Sequence, residues 1–138
     1  MALIHALEKE WAKKQNRKWD HIYVVVDLHD TVVSSNYDGF SINVFDEAVR
    51  CLSYLSQRQD IILIMWTGST DKDIKRYADM LMSRGIKFDF FNENPLEPST
   101  ELSDFSKKFY FNLVFDDKAG FYPSEDWSIV YDFFLNHH

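Results

Sequence analysis

Ile22-Tyr23-Val24-Val25-Val26-Asp27-Leu28-His29-Asp30-Thr31 decides the reading of this chain. Its first five residues are apolar on both alternating faces, as in a central parallel strand covered from either side. The run ends on a carboxylate, Asp27, and the carboxyl ends of strands are where open α/β sheets bind ligands. Two further apolar runs end in the same manner. Ile61-Ile62-Leu63-Ile64-Met65-Trp66 stops at the hydroxyl of Thr67, and Leu113-Val114-Phe115 stops at the pair Asp116-Asp117.

Between these runs the pattern changes to helical spacing. Leu3, Ile4, Leu7 and Trp11 predict an amphipathic helix over 2–15. Val44, Ala48, Cys51, Leu52 and Leu55 predict another over 43–58, with Asn43 as its cap. Thr70 suits the cap of a third helix, which closes near Arg84-Gly85, where Gly85 suits a left-handed turn. A strand is expected at 88–91, another at 110–116, and a last helix from Trp127 to Asn136 capped by Asp126. A further strand near Phe121-Tyr122 is an open alternative. Residues 32–42 read as a loop or short flap in which Tyr37 and Phe40 either shelter a site or pack. Strands alternating with helices give an α/β class: a three-layer Rossmann-like fold around a parallel sheet, with helices on both sides and no large cap domain. The 138 residues fit one domain, with 1–21 as a helical extension and 22–138 as the α/β core.

Composition narrows the partners. Hydrophobic residues make up 46% of the chain, enough for a core, yet no apolar run approaches the ~20 residues that cross a bilayer. The amino end lacks the charged start and long apolar stretch of a secretory leader. Cys51 is the single cysteine, so no internal disulfide forms, and a buried thiol is its expected state. A cytoplasmic protein without a membrane partner is the expectation. Net charge is −7, although residues 1–20 alone carry a net +2. The acidic body disfavours broad nucleic-acid binding.

Carboxylate, hydroxyl, cation and acidic pair follow one another as Asp27, Thr67, Lys107-Lys108 and Asp116-Asp117. Mg²⁺ is usually held by one or two carboxylates plus water, and Asp27 and Asp116 would supply them. A carboxylate can also attack phosphorus to form an acyl phosphate. A small phosphorylated substrate with Mg²⁺ as cofactor follows.

These residues resemble the motifs of the haloacid dehalogenase-like hydrolases. Asp27-Leu28-His29-Asp30-Thr31-Val32 resembles the first motif, Asp-x-Asp-x-Thr followed by an apolar residue. Thr67 after its strand resembles the second, Lys108 the third, and Phe115-Asp116-Asp117 the fourth. The likeness spans roughly residues 22 to 135 and is nearest to short members without a large cap. Asp126-Trp127-Ser128-Ile129-Val130-Tyr131 is similar to a stretch that follows the acidic pair in such members. The resemblance implies phosphate monoester hydrolysis through an aspartyl-phosphate. Asp27 would be nucleophile and metal ligand, and the His29 backbone carbonyl a second ligand. Asp116 would be the third, supported by Asp117. Thr67 would hold a phosphoryl oxygen. Lys108 would neutralise phosphate charge and keep Asp27 ionised, with Lys107 as the fallback.

One position departs from the pattern. The family's acid/base aspartate stands two residues after the nucleophile, where this chain has His29; an aspartate follows at Asp30. Three readings stay open. His29 transfers the proton, since histidine titrates near pH 6.5. Asp30 does so from a shifted turn. Or proton transfer is lost, leaving a weak enzyme or a phosphate- or nucleotide-binding protein. A signalling receiver domain uses similar groups, but its acidic pair lies on the first strand, whereas here it comes last. Asn92, Glu93 and Asn94 stand beyond a strand at the ligand edge, where they contact substrate or cap the loop.

Overall fold

A computed structural model describes residues 2–34 and 43–138. In chain order it contains α1 (Ala2–Arg17), β1 (Ile22–Asp27), β2 (Val33–Ser34), β3 (Asn43–Val44), α2 (Asp46–Ser56), β4 (Ile61–Trp66), α3 (Asp71–Met82), β5 (Phe90–Phe91), β6 (Leu113–Phe115) and α4 (Pro123–Leu135). A short 3₁₀ turn, Asp117–Ala119, follows β6. The main sheet has the order β5-β4-β1-β6 and every pairing in it is parallel. β2 and β3 form a separate antiparallel pair. The chain is an α/β protein with a three-layer, Rossmann-like arrangement around a central parallel sheet.

β1 lies at the centre because its side chains are apolar on both faces. Ile22, Val24 and Val26 join the larger core, whereas Tyr23 and Val25 join a smaller one on the opposite face. Each fully buried valine of this kind stabilises the fold by about 1.5–3 kcal/mol. All four helices contribute to the larger core: Leu7 from α1, Cys51, Leu52 and Leu55 from α2, Leu81 from α3, and Trp127, Val130 and Phe134 from α4. Cys51 is the buried thiol the sequence suggests. α1 is part of this layer, packing on α4, β1 and β6.

The expectation of helices on both sides is corrected here: among the described residues the opposite face carries no helix, and the third layer is irregular chain. Phe109, Tyr110 and Phe111 of the 92–112 crossover cover it. Handedness explains the division. The steps β1–α2–β4 and β4–α3–β5 move in one direction along the sheet, so right-handed connections place both helices on one face. The return from β5 to β6 passes beyond β1 and takes the other face.

Several element boundaries differ from the sequence expectation, each for a local reason. Asn43 does not cap α2. It pairs with Ser34 across the β2–β3 ladder, and Phe45 precedes the helix without a side-chain cap. The remainder of the expected flap, with Tyr37 and Phe40, lies outside the described residues. β5 begins at Phe90 because the Asp89 side chain, rather than ladder geometry, accepts the Leu63 N–H at 2.9 Å. β6 is short for the same reason: Asn112 Oδ1 accepts the Tyr23 N–H at 2.7 Å. α4 starts four residues before Trp127. Pro123 occupies its first turn, and Asp126 reaches back to accept the Tyr122 N–H at 2.8 Å. No strand forms at Phe121-Tyr122; Phe121 is buried against Phe115 and Trp127 instead. Thr70 caps α3, accepting from the Asp73 N–H, and Gly85 has φ +82° just beyond the end of that helix.

Candidate active site

Register brings the three strand ends level. Asp27 lies opposite Trp66, and Val26 lies opposite both Met65 and Phe115. Asp27, Thr67 and Asp116 therefore emerge side by side at the carboxyl edge of the sheet. One oxygen each of Asp27, Asp116 and Asp117 lies within 4.8 Å of the others. The two aspartates that the sequence places on separate strands do share one site, with Asp117 completing it.

The turn after β1 is built to hold that cluster. Val32 and Val33 N–H groups both donate to the Leu28 carbonyl, and Asp30 N–H donates to Val33 at 2.6 Å. Asp30 adopts φ +63°, a left-handed conformation aspartate tolerates better than most residues, and its side chain is exposed. The turn carries Thr31 inward, fully buried. Its hydroxyl accepts the Asp117 N–H at 2.9 Å and stands 3.2 Å from Asp27 Oδ2 and 3.4 Å from Asp117 Oδ1. With one proton to give, it donates to one carboxylate at a time. Thr31 thus ties the ends of β1 and β6 together. Its own carbonyl accepts the buried Trp127 indole N–H at 2.8 Å. Asp116 is fixed from the other side, where its Oδ1 accepts the Lys118 N–H at 2.9 Å.

Burial pushes the Asp27 carboxyl up to about 7; its hydrogen bond with Asp117 and the charges of Asp116 and Asp117 act in the same direction, against the Thr31 hydroxyl. Among the described residues no lysine pairs with it. Lys108 is exposed, with Nζ 5.7 Å from the Phe111 ring centre, and neither Lys107 nor Lys108 forms an ion pair among the described residues. Both lysines line a cavity of about 250 Å³ together with Asp116, Trp66 and Val25. The expectation that Lys108 holds Asp27 ionised is therefore corrected. The amine rests on an aromatic face beside Asp116, and Asp27 is left to its acidic neighbours. Three crowded carboxylates, none of them ion-paired among the described residues, form a donor set suited to a hard divalent ion.

Thr67 is positioned by Asn92. Its N–H donates to Asn92 Oδ1 at 2.8 Å, and its carbonyl accepts from Asn92 Nδ2 at 2.8 Å. The Asn92 amide is thus engaged by the Thr67 backbone across the sheet edge. The Thr67 hydroxyl lies 2.9 Å from Ser69 Oγ, and Ser69 Oγ lies 3.3 Å from His29 Nε2. The His29 ring also meets Tyr77 edge to face at 5.4 Å. Its imidazole therefore faces the Thr67 side, and neither it nor Asp30 belongs to the carboxylate cluster.

The sequence marked none of Thr31, Ser69 and Trp127 as a site residue, and Ser69 only as an alternative cap to Thr70. Thr31 was visible as the last defined residue of Asp-x-Asp-x-Thr. Ser69 carried no signal beyond a capping residue, because its link to His29 spans 40 positions.

No known family profile matches the chain, and no curated protein matches it. A solved structure does: a conserved protein from Bacteroides thetaiotaomicron, 26% identical, with a TM-score of 0.64, over 86% of this chain and 93% of that one.

Proposed function

We propose that this chain is a haloacid dehalogenase-like, Mg²⁺-dependent phosphatase acting on a small phosphorylated substrate in the cytoplasm. The observation that carries the reading is the convergence of Asp27, Asp116 and Asp117 beside Thr67 at one sheet edge. Those three carboxylates and the His29 carbonyl would hold Mg²⁺, which supplies charge neutralisation when bound.

An Asp27 oxygen attacks phosphorus, and the bond from phosphorus to the leaving oxygen breaks. Thr67 donates its hydroxyl proton to a phosphoryl oxygen. Lys108 approaches the phosphate as a counter-charge. The departing oxygen takes a proton from the His29 imidazole or from solvent. Water then attacks the acyl phosphate, releasing phosphate and restoring the Asp27 carboxylate. Asp30 is the less suited acid, because its turn leaves it exposed and outside the cluster.

One observation favours a second reading, a phosphate- or nucleotide-binding protein with little or no turnover. His29 is committed to Ser69 and Tyr77 rather than to the carboxylates. A screen of phosphorylated metabolites with Mg²⁺ separates the two. Turnover that disappears on chelation and in Asp27→Asn supports the hydrolase. Tight phosphate-ester binding without turnover supports the binding protein.

A further inference from the structure

A groove of about 770 Å³ starts at Thr67 and Gly68 and runs beneath the 92–99 loop. That volume lies within the usual range for small-molecule sites. Its floor is open at Gly68, where an added Cβ would meet nothing within 4 Å. Trp66, Phe105 and Phe109 supply its aromatic wall. Trp66 alternates with Ile64 onto the crossover face of the sheet and leaves 46% of its surface exposed. Its ring centre lies 5.5 Å from that of Phe109. An indole so exposed, one residue before the phosphoryl-binding hydroxyl, is a stacking surface rather than core.

The polar lining divides by availability. The Asn92 amide is spent on the Thr67 backbone, and that of Asn94 on the Tyr110 carbonyl and the Leu96 N–H. Glu97 accepts from the Tyr23 hydroxyl at 3.1 Å. Glu93 has no hydrogen bond or ion pair among the described residues, so its carboxylate is free to accept from hydroxyl groups. Among the described residues this wall offers no uncommitted side-chain amide to read a heterocycle's edge, whereas a ring face and an acceptor for a sugar are present.

We propose that this groove is the leaving-group subsite and takes a nucleoside. The base stacks on Trp66, the ribose hydroxyls donate to Glu93, and the 5′-phosphate reaches Thr67; this rests on the phosphatase reading above. Net charge of −7 favours a free nucleotide over a polymer end. Recognition by stacking tolerates any base, since each has a π face.

Adenosine, cytidine and ribose are titrated into the full chain by calorimetry, alongside Trp66→Leu and Trp66→Phe. Both nucleosides are expected to bind at least tenfold tighter than ribose and within about fivefold of each other, from the usual strength of base–aromatic stacking. Trp66→Leu brings the nucleoside-to-ribose ratio near one, and Trp66→Phe keeps most of it. Nucleosides that bind no better than ribose, or a preference that survives Trp66→Leu, overturn the proposal. These ligands carry no phosphate, so failure of the phosphatase reading leaves the result legible. Conversely, Mg²⁺-dependent turnover of AMP and ribose 5-phosphate at equal kcat/KM overturns the nucleoside subsite while leaving the phosphatase intact.

Discussion

Replacing Asp27 by asparagine should destroy turnover yet stabilise the protein without metal. Burial among acidic neighbours pushes the Asp27 carboxyl up to about 7, from about 3.8 for a free carboxylate. A tenfold change in proton affinity is about 1.4 kcal/mol, so the full displacement is worth about 4 kcal/mol. Partial solvent access to the carboxylates screens this to roughly 2 kcal/mol. The native state binds the proton more tightly than the unfolded chain. Stability is therefore lost as pH rises from about 4 through about 7, and the loss is complete above that. Asparagine carries no charge and escapes it. At pH 8 in EDTA, Asp27→Asn should melt about 6 °C higher than wild type, using a few degrees per kcal/mol for a domain of this size. Below pH 4 the two should converge. Added Mg²⁺ should narrow or reverse the gap at pH 8, because only the wild type has all three carboxylates to bind it. The assay is thermal unfolding followed by circular dichroism from pH 4 to 8, with and without Mg²⁺. A wild-type profile flat across that range, or a mutant no more stable at pH 8 without metal, refutes the crowding of carboxylates as the cause.

Other perturbations test the supports of the cluster. Thr31→Val keeps the shape but leaves the Asp117 N–H without its acceptor, so denaturant titration should show a loss of about 1–3 kcal/mol, and Thr31→Ser should recover most of it. Metal affinity of Thr31→Val should fall about 10–100-fold by calorimetry, as for other residues that orient ligands. Trp127→Phe removes the indole donor to the Thr31 carbonyl and should cost about 1–3 kcal/mol in the same titration. His29→Asp should raise kcat by up to about 10²–10⁴-fold if the histidine is a lesion in proton transfer, and lower it if the imidazole is the working acid. An unchanged kcat would mean that neither group moves the proton in the slow step.

The central strands were legible because their signal is local and redundant. β1 and β4 each carry apolar residues on both faces; β1 ends in Asp27, and β4 runs directly into Thr67. The expected partnership of Asp27 with Asp116 follows from parallel register alone. The edges were harder to read. Asp89, Asn92 and Asn112 each use a side-chain oxygen to take an N–H in, or just beyond, the neighbouring strand, so strand pairing fades into side-chain pairing. A propensity pattern cannot separate the two. The 92–112 crossover is rich in aromatic residues yet forms no helix; its phenylalanines cover a sheet face from irregular backbone. The expectation for Lys108 failed in one respect, because sequence order places a cation near the site without showing that its amine rests on the Phe111 ring. Ser69 and Trp127 act across 40 and 96 positions, contacts that no single-sequence pattern reveals.

Crystals grown with Mn²⁺ in place of Mg²⁺ at pH 8 would locate the cation by its anomalous scattering. A single strong peak within bonding distance of both Asp27 and Asp116 is the predicted result. A peak elsewhere, or none between those two carboxylates, would contradict a shared metal site at the sheet edge.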